Sequence, residues 1–182
     1  MPVINEFRDL VNTPKIKTKL ITNKSMWLQL CTSMDVISDT ELAIDAYQAN
    51  DYKDDGMLYL AIYGLLQALF LQQDAAVNLC EVLNIKINIW EYEKLREIRT
   101  IRNNSVGHPT KINATKAKPI TYAFVSRITM AQYGFQLITE NANEKAVFTN
   151  INISQLIEEQ NVYIKEIIKI ATNKLRNEYA VG

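Results

Sequence analysis

Met57-Leu58-Tyr59-Leu60-Ala61-Ile62-Tyr63-Gly64-Leu65-Leu66-Gln67-Ala68-Leu69-Phe70-Leu71 is the longest apolar run in the chain, broken only by Gln67. Gln72-Gln73-Asp74 follow at once. The run falls short of the roughly 20 residues that a membrane span needs, which points to a core helix. Its spacing agrees. Leu58, Ile62, Leu65, Leu69, Ala76 and Leu83 recur at helical steps on one face, and Tyr59, Tyr63, Phe70 and Val77 line another side. The pattern predicts a helix over 57–83. A helix that is apolar on more than one side belongs at the centre of its domain.

Outward from this run the sequence predicts more helix. Residues 24–49 carry a helical pattern, interrupted near Ser38-Asp39, where either residue suits a cap. Asn50-Asp51-Tyr52-Lys53-Asp54-Asp55-Gly56 is a loop whose acids suit the positive end of the next helix dipole. Ile85–Trp90 is a β-prone connector, and helix is expected over 91–106. Gly107 supplies the stop, and Pro109 prevents resumption. After Lys118 the character changes. Tyr122, Phe124, Val125, Ile128 and Thr129, then 135–139 and 146–149, read as strands, with turns at Gln132-Tyr133-Gly134 and Asn141-Ala142-Asn143. A last helix is predicted over 154–179, capped by Ser154 with Glu158 nearby. Its stripe is Ile157, Ile164, Ile167, Ile168, Ala171 and Leu175.

Hydrophobic residues make up 48% of the 182, and there are only five glycines and four prolines. That composition excludes disorder and a turn-rich all-β fold. The expectation is a mainly α helical bundle with a small antiparallel β-meander near 120–150, in a single domain over 1–182. The helical core spans about 24–110 and is completed by the C-terminal helix.

Lys plus Arg equals Asp plus Glu, at 20 each. This excludes a generic polyanion binder of the strongly basic kind; a nucleic-acid site here has to be a local patch. Cys31 and Cys80 stand in apolar helical segments without a second ligand at zinc spacing, and read as buried free thiols. No metal site and no cofactor is expected. The N-terminus lacks a basic region followed by an apolar run, so no signal peptide is read and a cytoplasmic location is expected.

Ile101-Arg102-Asn103-Asn104-Ser105-Val106-Gly107-His108-Pro109 holds the chain's one histidine. Histidine is the side chain best suited to carry a proton near neutral pH. On a helix over 91–106, Leu95, Ile98 and Val106 share a face with Arg102 at its centre and Arg99 on its edge. A guanidinium there needs a carboxylate, a phosphate or a wet cleft, because burying it unpaired is costly. Six residues is a poor multiple of the helical turn, so His108 leaves this face if the helix runs on. A left-handed turn at Gly107 would fold it back. The same residues also fit a plain helix C-terminus, with Arg102 paired to Asp74, Asp45 or Glu41. Asp74, on the side of Phe70 and Val77, needs a buried partner and reads as structural, an ion pair holding the bundle. Tyr122, Phe124 and Phe135 suit base stacking but are assigned chiefly to the sheet core.

Arg102-Asn103-Asn104-Ser105-Val106-Gly107-His108 resembles the signature of HEPN domains: an arginine, often followed by asparagine, then four to six residues and a histidine. The resemblance covers residues 24–110 and the C-terminal helix. The strands at 120–150 lie outside the family pattern. The resemblance implies a metal-independent endoribonuclease, a toxin or defence factor, working as a homodimer with motifs from two subunits in one cleft and with an antitoxin as a further partner. His108 would act as general base or acid, Arg102 would hold the scissile phosphate, Asn103 would orient either of them, and the RNA 2′-hydroxyl would be the nucleophile. Apart from the resemblance, Lys111, Lys116 and Lys118 follow the motif directly and suit contact with an RNA backbone, as Arg99 does, while the lysine run equally fits a solvated loop; Gly107 would shape the turn. The alternative is a module of the same fold that dimerises or binds nucleic acid or protein without catalysis.

Overall fold

The computed structural model describes residues 2–110, 112 and 119–180. The chain is mainly α-helical with a three-stranded antiparallel meander. Two short helices lead, Pro2–Val11 (α1) and Pro14–Leu20 (α2), followed by Lys24–Ala49 (α3), Asp55–Val82 (α4) and Glu93–Arg102 (α5). The strands are Thr121–Val125 (β1), Gly134–Asn141 (β2) and Glu144–Asn152 (β3), and Ile153–Leu175 (α6) closes the fold.

The central position predicted for the apolar run holds. α4 packs against α3, α5 and α6, and Ile62, Leu66, Leu69, Ala76 and Leu79 are fully buried. It is long and apolar enough to cross a membrane, but half of its most apolar window is buried inside the protein, as in a core helix. Asp54 caps its start, accepting from Met57 N at 2.9 Å. Its end is a left-handed cap. Asn84 adopts φ 56°, and Ile85 N donates back to Cys80 O at 2.9 Å, satisfying carbonyls that a helix end leaves open.

Four local expectations are corrected. α3 has no break at Ser38-Asp39, because Ser38 Oγ bonds back to Met34 O at 3.1 Å and stays within the helix. Residues 85–90 form no strand; a 3₁₀ turn at Ile89–Glu91 follows Asn88, whose side chain caps it. The cap of α6 is Asn152, not Ser154: its Oδ1 accepts from Gln155 N at 3.0 Å. Pro2–Val11 and Pro14–Leu20, for which no helix was read, form α1 and α2. Ile4, Phe7, Val11, Ile16 and Leu20 are buried, and burying each larger side chain contributes about 1.5–3 kcal/mol. α1 lies against α6 and α3.

The meander runs in the order β1-β2-β3. Alternation sends Ala123, Val125, Phe135, Leu137 and Ile151 into the common core. Phe124, Ile138 and Phe148 stand side by side in register on the opposite face. Phe135 is core as read, whereas Tyr122 and Phe124 are about half exposed, at 47% and 48%. They point away from the core because β1 buries its odd-numbered residues. The sheet is tethered at both ends. Tyr47 Oη donates to Gln132 O at 2.5 Å, and Ala123 N donates to Pro109 O at 2.7 Å. The second bond fixes β1 to the segment that carries the histidine.

Candidate functional site

α5 ends at Arg102 and continues as one π-helical turn, Asn103–Gly107. The bond that defines the turn is His108 N to Asn103 O, 2.8 Å. Such turns are rare, cost regular helix geometry, and are frequent at functional sites. Here the wider turn accommodates a side chain. A Cβ built on Gly107 would stand 2.8 Å from Arg102 Nη1 and 3.5 Å from Asn103 Oδ1. Gly107 therefore does not serve through a left-handed turn, as the sequence suggested; no such φ occurs there. It serves by having no side chain where the guanidinium lies.

Arg102 is half buried, and neutral groups hold it on every side. Its Nε and Nη2 donate to Gln67 Oε1 at 3.0 and 2.6 Å, and its Nη1 donates to Asn103 Oδ1 at 2.9 Å. Its Cζ lies 4.4 Å from the centre of the Phe70 ring. Among the described residues, no carboxylate lies within ion-pair distance of it. The arginine is thus oriented by hydrogen bonds and a ring face, and among the described residues no carboxylate pairs its charge. Of the carboxylates offered as its partners, Asp74 goes to the other arginine.

Arg99 is one turn earlier on the same face and has the opposite fate. Its Nη2 donates to Asp74 Oδ1 and its Nε to Gln73 Oε1 at 2.7 Å. It also lies 4.4 Å from Phe70 and is only 9% exposed. Arg99 and Arg102 therefore share one ring, but Asp74 neutralises only the first. Arg99, expected as an RNA contact, is buried against Phe70 and engaged by Asp74 and Gln73.

That support continues into the bundle. Gln73 Nε2 donates to Gln160 Oε1 at 2.8 Å, and Gln160 Nε2 donates to Leu69 O and Gln72 Oε1 at 2.9 and 3.0 Å. All three glutamines are fully buried. A line of buried amides runs from α6 through α4 to Arg99. The line is not fully satisfied: Gln72 Nε2 is buried with no hydrogen-bond partner among the described residues, so part of the chain's specifying effect is offset by that unmet donor.

His108 is exposed at the end of the π turn. The turn brings its backbone to Asn103, and its neighbour Gly107 to Arg102. Among the described residues, no hydrogen bond joins the imidazole to the guanidinium. Asn103, half buried, spends its Oδ1 on Arg102 and keeps its N–H groups as donors. Lys111 and Lys116 lie outside the described residues. Among the described residues, no group of three or more His, Cys, Asp or Glu is placed to hold a metal.

Two clefts flank the turn. One, of about 850 Å³, lies between α4, the turn and β1, with Ser105 and Pro109 in its wall. The other, of about 550 Å³, lies between α5 and β2–β3, with Asn104 in its wall. The meander is therefore beside the motif rather than remote from it.

The sequence reading missed Gln67, Phe70, Gln73 and Gln160. Gln67 had a signal, as the one polar residue in the opening apolar run. Gln73 stood in a polar triplet that closed that run. Gln160 had none, because a buried glutamine on α6 looks like any surface position.

The arrangement can present to an anion a fixed guanidinium that no carboxylate pairs among the described residues, with an exposed histidine at the end of the same turn. Compared with protein-family models, curated proteins and solved structures, the chain matches none.

Proposed function

We propose that this chain is a HEPN-type, metal-independent endoribonuclease acting in the cytoplasm as a homodimer, in the manner of a toxin or defence factor. The observation that supports this best is the state of Arg102. It is fixed by Gln67, Asn103 and Phe70, with no carboxylate among the described residues, six residues before the chain's lone histidine. A guanidinium held in this way suits a phosphate, which supplies the missing charge and accepts its N–H groups.

In chemical terms the RNA 2′-hydroxyl attacks the adjacent phosphorus, and the bond from phosphorus to the 5′-oxygen breaks. The products carry a 2′,3′-cyclic phosphate and a 5′-hydroxyl. His108 takes the 2′ proton as general base or returns one to the leaving oxygen as general acid. Arg102 stabilises the charge that grows on the non-bridging oxygens, and Asn103 holds Arg102 and the phosphate in line.

A second copy has a surface to seat on. Met57, Leu60 and Leu71 of α4 are exposed at helical spacing, and Gln67, which holds Arg102, is on the same side. Gly64 belongs to this stripe, and a Cβ there would meet open space. A helical glycine costs about 1 kcal/mol against alanine. With no neighbour among the described residues to demand it, the glycine suits close approach of a helix from a second copy.

The second reading, a non-catalytic module of the same fold, draws on the equal numbers of acidic and basic residues. One experiment separates the two. Labelled single-stranded and structured RNA are incubated with the protein and with His108→Ala, in EDTA. Cleavage that persists in EDTA and vanishes in the variant supports the enzyme. Binding without cleavage supports the module. No interaction with RNA overturns both.

A further inference from the structure

Ser105 stands midway between Arg102 and His108, on the π turn. It is 3% exposed, and its Oγ has no hydrogen-bond partner. That is costly, since an unmet buried hydroxyl forfeits its hydration and gains nothing. It is also unlike other hydroxyls in these helices. Ser33, Ser38, Thr40, Thr100 and Thr172 each bond the carbonyl four residues back. The π turn shifts that carbonyl register, and Ser105 is left in the wall of the cleft of about 850 Å³.

Most of that wall is aromatic and apolar, with Thr110 and Ser126 as further polar members. Tyr59 and Tyr63 of α4 meet edge to face with ring centres 5.8 Å apart. Phe124 of β1 and Ile128, which is 97% exposed, line the other side. Arg127 is in the wall as well; it is exposed, and among the described residues no carboxylate pairs with it. A flat heteroaromatic ring fits these features together: aromatic faces to stack on, one hydroxyl to meet a ring edge, and a cation at the rim for an attached phosphate.

We infer that this cleft takes a nucleobase of a single RNA strand, the base next to the phosphate held by Arg102. The inference rests on the ribonuclease reading and deepens it by naming how substrate is recognised. Ser105 Oγ bonds the edge of the base, Tyr63 and Phe124 provide the stacking surface, and Arg127 contacts the neighbouring phosphate. The meander is then the substrate wall of the site, which explains why β1 is tied to Pro109 directly after the histidine.

The test uses the full chain carrying His108→Ala, to suppress cleavage, and a fluorescent single-stranded RNA hexamer. A set of hexamers with one abasic position each is bound alongside. Loss of one stacked base is expected to weaken binding about tenfold at one position. That loss shrinks to about twofold or less when Phe124→Ala is added, a change at an exposed position that leaves the fold in place. Equal binding by all abasic hexamers overturns the base pocket while leaving the RNA reading intact. No binding by any hexamer overturns both. Ser105→Ala supplies an independent readout. Removing an unmet hydroxyl is expected to raise Tm by about 2–4 °C and to abolish the same base dependence. A fall in Tm would show that the hydroxyl is bonded within the chain, and the assignment fails.

Discussion

Gly107 leaves the space that Arg102 occupies: a Cβ at position 107 would stand 2.8 Å from Arg102 Nη1. The far end of an arginine normally swings away from such a contact at little cost. This one is held by Gln67, Asn103 and Phe70, so moving it breaks the bonds that aim it. Gly107→Ala should therefore separate fold from function. Backbone φ at 107 is not left-handed, so helix propensity favours alanine by up to about 1 kcal/mol and offsets much of the cost of displacing the guanidinium. RNA cleavage is expected to fall at least about tenfold, the loss attached to a poorly aimed charge. Thermal unfolding and a cleavage assay on the same sample check this. Wild-type cleavage by the alanine variant would show that the guanidinium need not be where it is.

Gln67 offers a sharper test of the uncompensated charge. Its Oε1 accepts from both Nε and Nη2 of Arg102. Gln67→Glu keeps the shape and the two bonds but supplies the carboxylate that Arg102 lacks. Stability is expected to hold or rise, since the pair becomes charge-assisted. RNA affinity is expected to fall about tenfold or more, because the cation is neutralised internally. Gln67→Leu does the opposite to the fold: it strands two buried-side donors and costs about 1–3 kcal/mol in urea unfolding. If Gln67→Glu binds RNA as the parent does, Arg102 is not the phosphate contact.

How much of this was legible in the sequence follows from what periodicity encodes. α4, α6 and the meander each repeat a burial pattern along the chain, and each was read within a few residues. The break at Ser38 was misread because a helix-compatible serine bond and a capping bond look alike in sequence. α1 and α2 escaped because each is short and lacks the glycine stop and the continuing π turn that made α5, of similar length, readable. At the site, Arg102 on an apolar face was visible, but the sharing of carboxylates was not. Asp74 lies within reach of one arginine in three dimensions, and spacing does not say which. The role of Gly107 was misassigned for the same reason. Sequence shows that a side chain is missing, not what fills the space.

The amide line behind Phe70 should govern stability more than its polar character suggests. Gln160→Leu removes the acceptor of Gln73 Nε2 and the donor to Leu69 O and Gln72 Oε1. Gln73 Nε2 is left with only its long bond to Leu95 O, 3.4 Å, and each buried group left unmet costs about 1–3 kcal/mol. A loss of several kcal/mol is expected by urea denaturation. Gln73→Leu should be non-additive with it, since the two side chains share one bond. Strict additivity in the double-mutant cycle would show that the bond contributes nothing.

Alkaline pH should unfold the chain for a traceable reason. Cys80 is fully buried on α4, and burial pushes its thiol from the ordinary 9.0 up to about 12. Burial also raises the Tyr47 phenol, with the neighbouring Tyr52 and Tyr133 adding to the effect. For a thiol the charged form is the deprotonated one. Above pH 9 the unfolded chain therefore releases a proton that the folded chain retains up to about pH 12. The native state binds more protons in that window, so stability is fully present below pH 9 and falls as pH rises, by up to about 1.4 kcal/mol per pH unit for one group. Urea midpoints measured from pH 7 to 11 are expected to be flat to about 9 and then to decline. Cys80→Ala should flatten part of that decline at the cost of a small cavity. Iodoacetamide at pH 8 should label Cys80 only as fast as the protein opens. A midpoint that rises between pH 9 and 11, or rapid native-state labelling of Cys80, would contradict the burial that makes α4 the centre of the fold.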